Sequence, residues 1–259
     1  MIDVFGIHTA QLETFFLIWV RVSTIILIMP IFGTPQIPAM VRVALGLIIS
    51  FVVYPTVPVM QPLSDLDALA VALASQVLIG VLFGFVTQMV FMGVQFAGQI
   101  IDTQIGFAVA NVINPATQSQ VTIIGELQLA LATLLFLITN AHLLYFQGIA
   151  GSFQLLPLPW ATLTIATQHS VITFFTQALL IVFSVSAPAS VTLFLVYVAL
   201  AFLARVAPQM NIFVIGFPLQ IAIGLIMLVL TLPLLGYGLP NFFNQVPRQL
   251  DTLMRSLAA

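Results

Sequence analysis

The chain of 259 residues contains no cysteine and no lysine, and it carries very little charge. The absence of cysteine excludes disulfides, thiolate catalysis and cysteine-based metal sites. Seven acidic residues and five arginines make up 5% of the chain, against about 25% in an ordinary soluble domain. So few charges cannot cover a soluble globule, and they form no basic patch that would bind nucleic acid. With 61% hydrophobic residues, the composition is instead that of an integral membrane protein.

Six apolar segments are candidates for membrane-spanning helices, which need about 20 residues each. Ten-residue strands of alternating polarity, typical of a membrane barrel, do not occur in the sequence. We therefore predict an all-α polytopic integral membrane protein with about six long hydrophobic helices. The predicted segments are 12–32, 39–54, 68–101, 123–145, 171–204 and 212–235.

Two of these segments, 68–101 and 171–204, are too long for a simple span. Each would form roughly 50 Å of helix at ~1.5 Å per residue, whereas the hydrocarbon core is about 30 Å thick. Such helices must tilt, break or leave the membrane. Pro188 offers a break in the second of them, and the first contains no proline.

The last stretch, 244–259, differs from the six segments because its apolar residues occupy one helical face. We interpret it as a separate amphipathic helix that lies on the membrane surface or docks on a partner, and we favour the membrane surface. The residues of this face are Val246, Leu250, Leu253, Met254 and Leu257.

Ionisable residues within apolar segments are candidates for function, but here they are sparse. A proton or ion relay would depend on Glu13 and Glu126, so charges at helix ends or in contacts between subunits are the better interpretation. A serine hydrolase would need Ser152 with a distant histidine, which is weak support for a catalytic pair. No metal-binding motif and no glycine-rich phosphate loop occurs. We therefore expect no enzymatic activity and no cofactor.

Four polar residues form a stripe along the third segment: Gln88, Gln95, Gln99 and Asp102. Their spacings of seven, four and three residues place them on one helical face, which must contact protein or water rather than lipid. Packing between helices is the favoured interpretation of this polar stripe, and a pore surface is the alternative. Small residues that permit close helix approach accompany it at Gly80, Gly84, Gly93 and Gly98.

The segment 106–120, GFAVANVINPATQSQ, is uncharged and lies between two apolar helices. A polar connection at membrane depth is tolerated only where protein buries it or where it lines a cavity. The residues alone leave two interpretations open, which are a plug in a conduit and an ordinary connection at the membrane interface.

Two sequence strings resemble a known family. They are PIFGTPQIP at 30–38 and ARVAPQMNIFVIGFP at 204–218, and Gly106-Phe107, Asn114-Pro115 and Ser152-Phe153 agree with them. The chain resembles the FliR family of the bacterial flagellar type III export apparatus along nearly its whole length. The related SctT family of injectisomes shares the plan, and the flagellar branch is favoured.

The resemblance implies a core subunit of the flagellar type III protein-export gate, which forms part of the conduit for unfolded polypeptides. FliP and FliQ homologues would join it in one helical hetero-oligomer, with contacts to an FlhB homologue, to membrane lipid and transiently to exported polypeptides. This gate lies in the bacterial inner membrane, at the flagellar basal body, partly raised toward the periplasm. A stand-alone secondary transporter or ion channel is the alternative.

The resemblance also implies a division of the chain and two sets of functional residues. Residues 1–170 would be FliP-like and 171–243 a FliQ-like hairpin, followed by the terminal helix. Arg205, Pro208 and Asn211 are expected to act in assembly, with Pro208 breaking the helix and the other two tying free carbonyls or a neighbouring subunit. The expected plug residues are Gly106, Phe107, Val109, Asn111, Val112, Ile113, Asn114 and Pro115.

Overall fold

The computed structural model of the protein describes residues 9–34, 36–63, 65–107, 122–159 and 165–258. Within these ranges the regular elements are all helical, as the composition predicted. They are α1 (Thr9–Ile28), α2 (Ala39–Val53), a 3-10 turn (Tyr54–Thr56), α3 (Leu66–Ile105), α4 (Ile123–Ile138), α5 (Ala141–Leu155), α6 (Ile165–Val206) and α7 (Ile212–Ala258).

Five of the described helices are long and apolar enough to cross a membrane, and α4 with α5 form a bent pair that would make a sixth span. The prediction of an all-α polytopic membrane protein is therefore confirmed. The over-long helices are confirmed too, since α3 has 40 residues and α6 has 42.

The predicted helix 123–145 is wrong, because α4 ends at Ile138 and α5 begins at Ala141 with a bend of 71° between them. Asn140 adopts a left-handed conformation with φ of 56°. Asparagine tolerates this conformation better than most residues, and it commonly ends a helix. The break therefore comes from a single asparagine in an otherwise apolar run.

Proline does not break the fifth segment, since α6 continues from Ile165 to Val206 through Pro188. Prolines are tolerated in membrane helices where neighbouring elements hold the helix together. Here the residue after Pro188, Ala189, and Leu193 one turn later are fully buried. Packing of this face keeps the helix continuous despite the missing amide.

The separate terminal helix is also a wrong prediction, because the segments 212–235 and 244–259 belong to one helix of 47 residues. Buried residues recur every three or four positions across the expected gap, at Leu235, Leu239 and Phe243. The apolar face of the terminal stretch is confirmed as a buried face. It packs on the chain itself, since the Leu250 side chain lies beside Gly148 of α5 and Thr167 donates a hydrogen bond to the Ser256 carbonyl at 3.1 Å.

Packing divides the chain into two compact units. The first comprises Met1–Met89, Asn140–Phe175 and Phe243–Ala259, and the second Val90–Thr139 and Thr176–Phe242. This division follows contacts rather than likeness to FliP or FliQ, so the boundaries at 170 and 243 remain a prediction.

The first unit is organised around α1, whose inner face is fully buried. Glycines let the neighbouring helices approach it closely. A Cβ added at Gly80 would lie 2.6 Å from the Cβ of Thr24, and one at Gly84 would lie 2.6 Å from the Cβ of Ile28. The expected role of these glycines in close helix approach is confirmed.

The second unit has its own apolar core, formed by the end of α3 and the start of α4 with parts of α6 and α7. Its buried cluster consists of Ile101, Ile105, Ile124, Ala189, Leu193 and Leu228. Ile105 fits against Gly224, where a Cβ would collide with its side chain. The end of α3 is thereby fixed in position by a helix from the other end of the chain.

Candidate functional site

The candidate site begins where α3 ends, at the start of the expected plug segment. Gly106 has φ of +95°, and the Phe107 amide donates to the Asp102 carbonyl at 3.1 Å. This is the hydrogen bond of a Schellman motif, in which the residue after the helix is usually glycine. A Cβ at Gly106 would also lie 2.9 Å from the Phe217 ring. Backbone conformation and space therefore both require glycine here.

The side chain of Asp102 holds the other end of the same connection. It is only 3% exposed, and its carboxylate accepts hydrogen bonds from the Ile124 amide at 3.1 Å and the Gly125 amide at 3.2 Å. These amides belong to the first turn of α4, which has no helical partners for them and attracts negative charge. A carboxylate can therefore be buried at this point without a cation.

Asp102 thus binds the backbone on both sides of residues 108–121, which lie outside the described residues. The Asp102 carbonyl binds the amide of Phe107, and the Asp102 carboxylate binds the amides at the start of α4. Of the expected plug residues, Gly106 and Phe107 are described, and Phe107 packs against the core cluster of the second unit. Val109, Asn111, Val112, Ile113, Asn114 and Pro115 lie outside the described residues.

Part of the polar stripe lies where α3 contacts α4. Gln95 donates a hydrogen bond to the exposed Glu126 at 3.0 Å, and a Cβ at Gly98 would lie 2.5 Å from the Gly125 Cα. Two members, Gln95 and Asp102, therefore join α3 to α4. Gln99 is half-buried in the second unit, and Gln88 is half-buried in the first. Whether the stripe also faces a pore or another subunit remains a prediction.

The expected assembly residues lie at the turn between α6 and α7. Helix α6 ends at Val206, two residues before Pro208, and Arg205, Pro208 and Asn211 are all exposed. Within the described part of the chain, the Arg205 and Asn211 side chains make no hydrogen bond, so the suggested tie to the carbonyls of the turn is not formed there. Their expected role toward a neighbouring subunit remains a prediction.

Arg21 is the site residue whose surroundings the sequence did not indicate. It is fully buried in the first unit, where its guanidinium donates to Gln76 Oε1 at 2.7 Å and to the Leu156 carbonyl at 3.0 Å. It also contacts Ser152 and lies over the Phe153 ring, 4.3 Å from the centroid. Its positive charge thus meets the carbonyl end of α5, where a helix favours cations. Glu13, the acidic residue of the same helix, does not pair with Arg21 but accepts a hydrogen bond from the Leu63 amide at 2.9 Å.

The same contacts bear on the idea of a serine hydrolase. The Ser152 hydroxyl donates to the Ile149 carbonyl at 2.7 Å and faces the guanidinium of Arg21. A nucleophilic serine needs a base that accepts its proton. Here the proton is committed to the backbone, so the geometry gives this hypothesis no support. Among the described residues, no cluster of three or more metal-ligating side chains occurs.

Comparisons with known proteins agree with the resemblance. Residues 12–246 match the family described as bacterial export proteins, family 1. The chain is 34% identical over 234 residues to the flagellar biosynthetic protein FliR of Bacillus subtilis. The matched region covers 89% of this chain and 90% of that protein. It is 30% identical over 251 residues to FliR of Escherichia coli, covering 95% and 94%.

A secretion-system relative matches over a shorter range. The Yop proteins translocation protein T of Yersinia pestis is 32% identical over 184 residues, or 69% of each chain. The resemblance to FliR and its injectisome relatives is thereby confirmed. The chain belongs to family 1 of the bacterial export proteins, as a relative of flagellar FliR.

Proposed function

We propose that the chain is a core subunit of the bacterial flagellar type III protein-export gate and forms part of the conduit for unfolded polypeptides. The family match over residues 12–246 is the observation that carries this proposal. The flagellar branch is favoured because the FliR proteins of Bacillus subtilis and Escherichia coli match about nine-tenths of the chain, whereas the Yop translocation protein matches about two thirds.

The proposed partners are FliP and FliQ homologues in one hetero-oligomer, with an FlhB homologue in contact. Exposed apolar side chains along α6 and α7 support such an assembly, because large apolar surfaces are covered by lipid or by protein. Phe183, Phe194 and Phe202 are each more than half exposed, and Phe213 is 74% exposed. The complex would lie in the bacterial inner membrane, at the flagellar basal body, partly raised toward the periplasm.

A conduit for unfolded polypeptides must accept every type of side chain, so a lining with strong charge would retain some segments. The neutral amides of the polar stripe are compatible with this task. An apolar constriction can block ions by excluding water when no substrate is present. We propose that Phe107, Val109, Val112 and Ile113 contribute to such a seal.

The role is not enzymatic, and energy would come from other parts of the apparatus. The alternative of a stand-alone transporter needs carboxylates that are free to exchange protons or ions. Instead, each carboxylate accepts a hydrogen bond within the chain. Glu13 binds the Leu63 amide, Asp102 binds the amides at the start of α4, and Glu126 binds the side-chain amide of Gln95. These structural roles favour the export subunit over a relay.

Native mass spectrometry on the tagged protein, extracted gently from its own host, tests the proposal. We expect a defined complex with one copy of this chain and several copies of other small membrane proteins. A lone monomer, or a symmetric homo-oligomer, from cells that build the apparatus would contradict the proposal and favour a stand-alone transporter.

A further inference from the structure

Gln128 of α4 carries a fully buried amide inside the second unit. Its side chain is 0% exposed, and within the described part of the chain neither Oε1 nor Nε2 has a hydrogen-bond partner. An unpaired buried amide costs free energy, and most buried polar groups in proteins are paired with the chain itself or with ordered water. Lipid or a partner subunit cannot reach this amide from the surface. Its partner must therefore be enclosed within the unit.

The buried carboxylate of Asp102 belongs to the same contact between α3 and α4. The two helices run antiparallel there, because Phe91 of α3 contacts the ring of Phe136 while Asp102, further along α3, binds the Gly125 amide. Helical side chains lean toward the N-terminus of their own helix. The side chains of Asp102 and Gln128 therefore lean toward each other.

A contact between two glycines brings both polar groups close to one backbone nitrogen. A Cβ added at Gly98 would lie 2.7 Å from the Gly125 nitrogen and 3.0 Å from Gln128 Oε1. Asp102 Oδ2 accepts a hydrogen bond from the same nitrogen at 3.2 Å. The Gln128 amide does not bond to the carboxylate directly. A small polar molecule between the two side chains would satisfy the amide.

The chemistry of these two side chains favours water over an ion. A buried water typically makes about three hydrogen bonds to polar groups. The amide supplies a donor and an acceptor, and the carboxylate keeps free lone pairs after accepting from backbone amides. A metal cation would need more oxygen ligands, and the described residues hold no group of three metal-ligating side chains. An anion would be repelled by Asp102.

We propose that an internal water molecule binds between Gln128 and Asp102. It accepts from Gln128 Nε2 and donates to Gln128 Oε1 and to the Asp102 carboxylate. The water joins the residue that caps the first turn of α4 to the next turn of the same helix. It thereby fixes the position of α4 along α3, where the contact of Gly98 with Gly125 has no interlocking side chains. The site belongs to the chain itself, whether or not the chain works in an export gate.

The first test is direct detection of the water by water-edited NMR on the purified full chain in lipid nanodiscs, with nitrogen-15-labelled glutamine. We expect a dipolar cross-peak between water and the side-chain amide of Gln128, and its loss in Gln128→Met assigns it. Gln147→Met is the matched control, because Gln147 is exposed on α5, and this variant should keep the cross-peak.

Thermal unfolding of the same variants distinguishes a hydrated amide from an unpaired one by the sign of the change. Gln128→Met nearly keeps the shape of the side chain but removes both polar atoms. If water satisfies the amide, the variant loses these hydrogen bonds, and its melting temperature should fall by about 2–4 °C. If the amide were unpaired, its removal would leave the melting temperature unchanged or raise it.

The absence of the cross-peak would overturn the proposal. Together with a lowered melting temperature in Gln128→Met, it would assign the amide to a direct bond with Asp102. Together with an unchanged or raised one, it would leave the amide unpaired. A cross-peak that survives in Gln128→Met, or one accompanied by no fall in melting temperature, would contradict the proposal as well.

Discussion

Nε of Arg21 donates a 2.7 Å hydrogen bond to Oε1 of Gln76, which joins the first helix to the third inside the first unit. Gln76 in turn donates to the Pro159 carbonyl at 2.7 Å. Together with the bond from Arg21 to the Leu156 carbonyl, this network fastens the chain that follows α5. It contains a buried charge whose hydrogen-bond acceptors are all neutral oxygens.

We expect Arg21→Met to destabilise the protein by about 1–3 kcal/mol, because it leaves buried neutral acceptors such as Gln76 Oε1 and the Leu156 carbonyl without their donor. Gln76→Leu should cost about 1–3 kcal/mol through the unpaired Nε. The double variant should cost less than the sum of the two, since both partners of the bond are gone. Thermal unfolding in detergent measures these changes. Arg248→Met, at an exposed position of α7, is the control, and a similar melting temperature for Arg21→Met and Arg248→Met would contradict the role of the network.

Asp102 gives a prediction about the start of α4. Asp102→Asn keeps an oxygen that caps a helix nearly as well, so its melting temperature should stay close to that of the original chain. Asp102→Leu leaves the buried Ile124 and Gly125 amides without a partner and should cost about 1–3 kcal/mol. Glu126→Gln is the comparison for an exposed carboxylate and should change stability by less than about 1 kcal/mol. If Asp102→Leu melted like Asp102→Asn, the two hydrogen bonds would not stabilise the fold.

Gly98 gives a prediction about the contact of α3 with α4. A Cβ there would lie 2.5 Å from the Gly125 Cα, and backbone cannot move aside as a flexible side chain can. We therefore expect Gly98→Ala to destabilise the protein by about 1–3 kcal/mol. Gly151→Ala is the matched control, because an added Cβ meets nothing within 4 Å and alanine favours a helix by about 1 kcal/mol. Thermal unfolding that ranks the two variants in the opposite order would contradict the close contact.

The sequence predicted the existence of the helices well and their breaks poorly. Hydrophobicity alone indicates which stretches can lie in a bilayer, and those stretches are helical. Breaks depend on local conformation and on packing. Asn140 ends α4 within an apolar run, while Pro188 and Pro240 leave their helices intact.

The candidate site shows the same limit. Spacing placed Gln95 and Asp102 on one face of α3, but it could not show that the face meets the start of α4. The partners of Asp102 lie 22 and 23 residues further along the chain, beyond a segment without periodic apolar residues. The partners of Arg21 at 76, 152 and 156 are more distant still. Contacts at such separations depend on tertiary packing, which a single sequence does not specify.

The last prediction concerns the proposed seal of the export gate. Deleting Val109 to Asn114 removes three of the four apolar residues proposed to exclude water, so we expect ions to leak through the assembled gate. Leakage is measured as loss of membrane potential in cells that carry the complex, and native mass spectrometry confirms that the deleted chain is still incorporated.

Glu126→Gln separates this seal from the transporter alternative. If the carboxylate served an ion relay, the substitution would abolish transport, whereas an export subunit should tolerate it because glutamine can still bond to Gln95. The deletion keeps Asp102, Phe107, Ile124 and Gly125, whose hydrogen bonds hold the two helix ends, so increased leakage in an assembled complex is assigned to the loss of the segment itself. Unchanged leakage in a correctly assembled complex would remove the assignment of a plug to 106–120.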